Sequence, residues 1–267
     1  MIDVNELGPR IVLYFGKNLN FHLSEGTLFG FILAAVLAVV GIWLGSNLQK
    51  VPRGKQVFAE ALVSWIYKFA DENLERRYGK NFAPFLGSLF IWLIFANSFG
   101  LLGQRPITAD INVTAGLAVM CFTVIQVMAI KNLGIRGRVE ELGDPFYGIL
   151  PINIISEFVF PFTLALRLFG NIFGGMIVID LWMKLMEYLS YQFFSIPILR
   201  AVTVIPLNLF FDIFEPLVQA YIFITLTAIN LEEGLSGMNY ETAEKRRLKR
   251  EAKKHRKESY NISDKSQ

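Results

Sequence analysis

Cysteine and histidine are nearly absent from this 267-residue chain, which has one Cys, at 121, and two His, at 22 and 255. A lone cysteine excludes an internal disulfide and a thiolate metal cluster. Two histidines near opposite ends of the chain argue against a His-ligated zinc or haem. There is no Gly-rich phosphate loop and no G-x-S-x-G elbow, so the common nucleotide-binding and hydrolase signatures are missing. Charge is scarce as well. Only 18% of the residues are Asp, Glu, Lys or Arg, against about a quarter in soluble domains. The deficit is concentrated in 26–49, 81–104 and 111–130, which contain none of the four. About 20 apolar residues suffice to cross a bilayer core as a helix. Three such spans indicate an integral membrane protein and exclude a soluble enzyme. They also exclude a β-barrel, whose strands alternate apolar and polar residues over about ten positions. No basic segment of the kind that opens a signal peptide precedes the first span, so a cleaved leader is not expected.

Beyond residue 144 apolar sequence continues, but charges interrupt it: Glu157, Arg167, Asp180, Lys184, Glu187, Arg200, Asp212 and Glu215. Residues 188–199 read as a turn between two long helices. Each of these has roughly 35 residues, or about 50 Å of helix against a core of about 30 Å, so both must tilt or bend. Pro161, Pro206 and Pro216 are natural places for a bend. The expected fold is an all-α integral membrane protein with five crossings, 27–48, 82–103, 111–130, 153–187 and 197–231. The last two form a tilted hairpin. Residues 55–78 add an amphipathic helix lying on the membrane surface or against a neighbouring subunit. In this reading 1–26 precede the membrane domain 27–232, and 233–267 form a basic tail.

Basic residues set the orientation. With the amino end outside, the inside segments 49–80, 131–150 and 232–267 hold 20 of the 26 Lys and Arg, as the positive-inside rule requires. The carboxyl end is then cytoplasmic. The tail run 244–258 is strongly basic. Beside a membrane its natural partner is anionic lipid headgroups rather than nucleic acid.

Arg167 carries the most information. Nine uncharged residues precede it and twelve follow, which places a permanent cation deep in a membrane helix. Such a residue faces protein or a water-filled cavity; the plain alternative is an ion pair holding two helices together. A hairpin centred near 193 sets Arg167 opposite Gln219, Asn171 opposite Glu215 and Gly174 opposite Asp212, to within a helical turn. Each helix also gathers its polar residues on one face. Thr163, Arg167, Asn171 and Gly174 follow i, i+4, i+7, i+11 spacing, and so do Asn208, Asp212, Glu215 and Gln219. Gly174 and Gly175 leave room for a carboxylate or water. Two acids, one cation and two amides in a membrane cleft suggest an ion path. A competing reading pairs Asp212 and Glu215 with Arg200 or Lys184. Glu157 lies nearer the inside end of its helix, either lining a second entrance or serving as an ordinary interfacial acid.

Leu164-Ala-Leu-Arg167-Leu-Phe-Gly-Asn171 resembles the a subunit of F-type ATP synthases. Pro52-Arg-Gly-Lys-Gln56, Phe95-Ala-Asn-Ser-Phe-Gly-Leu-Leu-Gly103 and Gln219-Ala-Tyr-Ile-Phe223 are similar to segments of the same family, in its order, over about 27–232. The resemblance implies a non-catalytic stator subunit of a bacterial plasma-membrane complex, partnered by a ring of c subunits and by peripheral-stalk b subunits. It would bind no nucleotide and need no cofactor. Two half-channels would carry protons or sodium to and from the ring carboxylates, with Arg167 between them. Asp212 would lie in the outer half-channel and Glu157 near the inner one, with Asn171, Glu215 and Gln219 also on the ion path. Many relatives carry an acid nine residues after the arginine, where this chain has Met176, so Asp212 and Glu215 are expected to supply the outer acids. Two other functions compete. A secondary transporter would show repeated halves, and 1–130 and 145–231 do not correspond. A membrane hydrolase lacks its histidine or cysteine nucleophile.

Overall fold

The computed structural model describes residues 11–15, 21–46, 48–74, 76–143, 147–193 and 197–236. The basic tail run 244–258 lies outside the described residues. A short antiparallel hairpin, β1 (Ile11–Phe15) and β2 (Phe21–Ser24), precedes the membrane helices. It is the one sheet among the described residues of an otherwise helical protein. The helices are α1 (Glu25–Leu44), α2 (Lys55–Asn73), α3 (Arg76–Asn97), α4 (Ile111–Leu142), α5 (Leu150–Phe193), α6 (Ile198–Leu209) and α7 (Glu215–Ser236). Five stretches are long and apolar enough to cross a membrane: 25–44, 78–102, 111–131, 150–192 and 198–235. Apart from the β1–β2 hairpin the described chain is helical, and its membrane domain is multi-pass and all-α.

Ser24 starts α1, its hydroxyl accepting from the Thr27 amide at 3.3 Å, as expected of a serine N-cap. Between α1 and α2 the chain turns at Gly54, whose φ is +58°. The buried Gln56 closes that turn by a two-way bond with the Gln49 backbone, donating at 2.8 Å and accepting at 2.9 Å. Lys55 caps it with its ammonium 4.1 Å from the Trp43 ring centroid. Amphipathic α2 buries Ile66, Phe69 and Ala70 and leaves Val57, Phe58 and Val63 exposed. Its inner face meets α3 and α7 through Trp65–Phe90 and Phe69–Tyr221 ring contacts, with centroids 4.9 and 5.7 Å apart.

The core lies among α3, α4, α5 and α7. Leu86 and Leu93, Ala118 and Cys121, Leu164 and Leu168, and Ala220, Phe223 and Ala228 are almost fully buried there. Alanines at these positions let the helix backbones approach closely, the usual basis of packing where lipid supplies no hydrophobic drive. α1 is peripheral, touching the body through Leu33, Ala96 and Ile107.

The second arm of the long hairpin is not a plain α-helix. Residues Phe210–Phe214 form a π-helical turn between α6 and α7. Pro216 explains it. Its ring nitrogen has no proton for the Asp212 carbonyl and would press on it, and the Glu215 amide reaches back five residues to Phe210 O. Such turns are rare and concentrate at functional sites. Asp212 sits inside this one.

Candidate functional site

The long hairpin aligns in a register centred near 195 rather than 193, one helical turn from the sequence expectation. Asn171 Nδ2 donates to Gln219 Oε1 at 3.1 Å, so Asn171 faces Gln219 and not Glu215. Gly175, not Gly174, is the small residue under the acids: a Cβ there would stand 3.5 Å from Glu215 Oε2 and 2.9 Å from the Phe211 ring. Around Gly174 the space is open.

Asn208, Asp212, Glu215 and Gln219 all line one cavity of about 310 Å³, as their spacing predicted. Its other walls are Asn97 and Gly100 at the end of α3, the loop residues Gln104 and Arg105, and Ile172, Gly175 and Met176 of α5. Gly100 has no side chain because the Asp212 carboxylate occupies that space. Asn97 Nδ2, Glu215 Oε1 and Gln219 Nε2 are buried here and have no protein partner among the described residues. Three orphaned polar atoms around one cavity of this size are groups that water held there would satisfy. A neighbouring cavity shares Gln104, Arg105 and Met176 with it and continues to Glu25 and the buried Asp110. Met176, where relatives often have an acid, therefore stands at the junction of the two.

Glu157 is elsewhere. It lines a separate cavity of about 280 Å³ with Arg138, Asn153, Ser156, Asn230 and Glu233, and no residue borders both this cavity and the Asp212 cavity. Along α5 the lower cavity ends at Phe160 and the upper one begins at Ile172. Arg167 lies between them, about 10 Å of helix from the first and about 7.5 Å from the second. Its side chain is exposed, and no carboxylate pairs with it among the described residues. Val159, Phe162 and Leu166 on the same helix are exposed as well. Thr163 takes no part; its hydroxyl donates to the Val159 carbonyl of its own helix at 3.0 Å.

The competing ion pairs are accounted for. Arg200 pairs with Glu187 across the hairpin at 2.7 Å, and Lys184 pairs with Asp180 one turn away at 2.6 Å. Neither engages Asp212 or Glu215. Two polar cavities divided by an unpaired cation suit a protein that moves ions by two separate entrances and blocks direct passage.

The profile of the family described as ATP synthase A chain matches residues 27–232. This chain belongs to the ATP synthase a-subunit family. Among relatives, ATP synthase subunit a of Staphylococcus carnosus is 31% identical over 83% of this chain and 94% of its own length. A sodium ion specific subunit a from Propionigenium modestum is 31% identical over 76% of this chain and 71% of its own. Subunit a of Moorella thermoacetica is also 31% identical, covering 63% and 80%. The chain is thus the membrane ion-channel subunit of an F-type ATP synthase, and the secondary-transporter reading is not favoured.

Several lining residues escaped the sequence reading. Asn97 stands inside the largely apolar stretch 95–103, and its polarity is the available signal. Asn153, Ser156, Asn230 and Glu233 sit at helix ends where polar residues are ordinary, so no pattern marked them. In the sequence Arg138 is one inside basic residue among many, with no local sign of its partner.

Proposed function

We propose that the Asp212 cavity and the Glu157 cavity are the two half-channels, and that Arg167 is the barrier between them. The outer route enters past Glu25 and Asp110, crosses beside Gln104 and Met176, and reaches Asp212, Glu215, Gln219 and Asn171. The inner route opens at Glu157, on the side carrying the Lys- and Arg-rich segments. That side is the cytoplasm of a bacterial plasma membrane by the positive-inside rule, with the amino end outside. The exposed apolar flank of α5 and α6 faces a ring of c subunits, and peripheral-stalk b subunits brace the stator.

The chemistry follows from the cost of charge in hydrocarbon. A ring carboxylate turned toward lipid must be neutral, because an isolated charge there is too costly. Beside Arg167 the ionised form is stabilised by the opposite charge, so the carboxylate releases its ion to one cavity and reloads from the other. The guanidinium repels any cation attempting the direct step. Each charge crossing draws about 2.3 kcal/mol per 100 mV, which rotation carries to ATP synthesis in other subunits. No step requires a nucleotide or cofactor on this chain.

The supporting observation is the pair of separate polar cavities flanking unpaired Arg167. Replacing Arg167 with Ala should abolish gradient-driven ATP synthesis and ATP-driven pumping while the complex still assembles. Retained coupled synthesis in reconstituted vesicles would defeat the proposal. In the same vesicles, stimulation of ATP hydrolysis by sodium identifies sodium as the ion, and insensitivity identifies protons. Labelling of a single cysteine placed at 267 by an impermeant maleimide from the cytoplasmic side only checks the orientation.

A further inference from the structure

α4 does not stop where its apolar span ends at Lys131. It continues to Leu142 across a break at Gly134, where φ is 75° and ψ is 163°. Side-chain-bearing residues avoid that backbone region. Nothing lies within 4 Å of where a Cβ would sit, so the backbone angle, not crowding, calls for glycine. Past the break, residues 135–142 meet the base of α5. Asn153 Nδ2 donates to the Leu142 carbonyl at 2.9 Å, and the Arg138 guanidinium forms an ion pair with Glu157. Both partners are largely enclosed, their side chains 12% and 25% exposed. The charged groups lining this cavity among the described residues are Arg138 from α4, Glu157 from α5 and Glu233 from α7.

We propose that Arg138 is a positioning residue for ion translocation: it holds the Glu157 carboxylate against the wall of the inner cavity and neutralises it. Without it, the Glu157 carboxylate would face this enclosed compartment stripped of its ion pair. That is a binding site, and conduction needs contacts weak enough for the ion to leave. A partly buried carboxylate stripped of its partner is also left uncompensated. With the bridge in place, the Glu157 carboxylate is compensated, and the cavity stays polar without a bare acid to trap a cation. The proposal rests on the half-channel reading, but it can fail while that reading stands.

The test uses the whole ATP synthase in liposomes. ATP synthesis is measured while pH and sodium are titrated in turn on the α4–α5 side, then on the opposite side. Arg138→Gln should shift the half-saturating concentration of the transported ion by about fivefold or more, the scale of coupled neighbouring residues, on the α4–α5 side alone. Arg138→Lys should restore the wild-type profile, because it keeps the charge. In a Glu157→Gln background, Arg138→Gln should add no further shift. An unshifted profile, an equal shift on both sides, or a shift that persists without Glu157 would overturn the assignment. Coupled synthesis surviving Arg167→Ala would instead sink the channel reading itself.

Discussion

Gly100→Ala is a sharp probe of the outer route because it perturbs Asp212 without touching it. A Cβ built on Gly100 overlaps an Asp212 carboxylate oxygen and stands 2.8 Å from Cγ. Carbon atoms in contact prefer about 3.5–4.0 Å, so the carboxylate must retreat by roughly 1 Å. Gly100 is not at positive φ, and alanine fits its backbone. The obstructing atoms end a rotatable side chain, so relief costs only about 0.5–1.5 kcal/mol of rotamer strain. The subunit should therefore assemble, with Asp212 misplaced. Displacing a positioned group by that distance can cost about 10²-fold in rate. Gradient-driven ATP synthesis should fall at least about tenfold, while ATPase activity of the catalytic sector is unchanged. Gly174→Ala is the control, because nothing lies within 4 Å of its Cβ position, and it should be silent. Gly175→Ala meets the Phe211 ring at 2.9 and 3.0 Å. It should lower thermal stability as well, by about 1–3 kcal/mol of overpacking. Wild-type synthesis in Gly100→Ala, or equal damage from Gly174→Ala, would refute the placement of Asp212 on the path.

Asn171→Leu should strand Gln219, already short of a partner at Nε2, and cost about 1–3 kcal/mol; thermal unfolding of the detergent-solubilised subunit checks this. Arg167→Lys should lose most coupled synthesis, since an ammonium lacks the planar fork and can shed its proton when desolvated; near-normal rates would contradict a role for a permanent charge. Cys121 is fully buried beside α7, so the folded complex should resist maleimide labelling until denatured, as mass spectrometry would show.

The membrane class, the five crossings, the hairpin and the depth of Arg167 within a membrane helix were legible in the chain. Each follows from a local rule: apolar runs of span length, and a cation that cannot be neutralised. The shared face of Asn208, Asp212, Glu215 and Gln219 was legible as well, because helical periodicity survives even the π turn. What faces that stripe was not. Pairing Asn171 with Gln219 depended on a one-turn register offset, and the identity of the supporting glycine changed with it. Periodicity fixes a direction around one helix but says nothing of axial alignment between two.

The second cavity shows the same division. Glu157 could be read as a channel acid or an interfacial one, and the sequence left both open. Its partner stands 19 residues earlier, beyond a glycine whose backbone angle redirects the chain, and no residue pattern encodes where such a bend points. Burial, charge and helical phase are properties of short stretches, so sequence determined them. Cavities and ion pairs between distant segments are properties of docking, and only the assembled helices decided them.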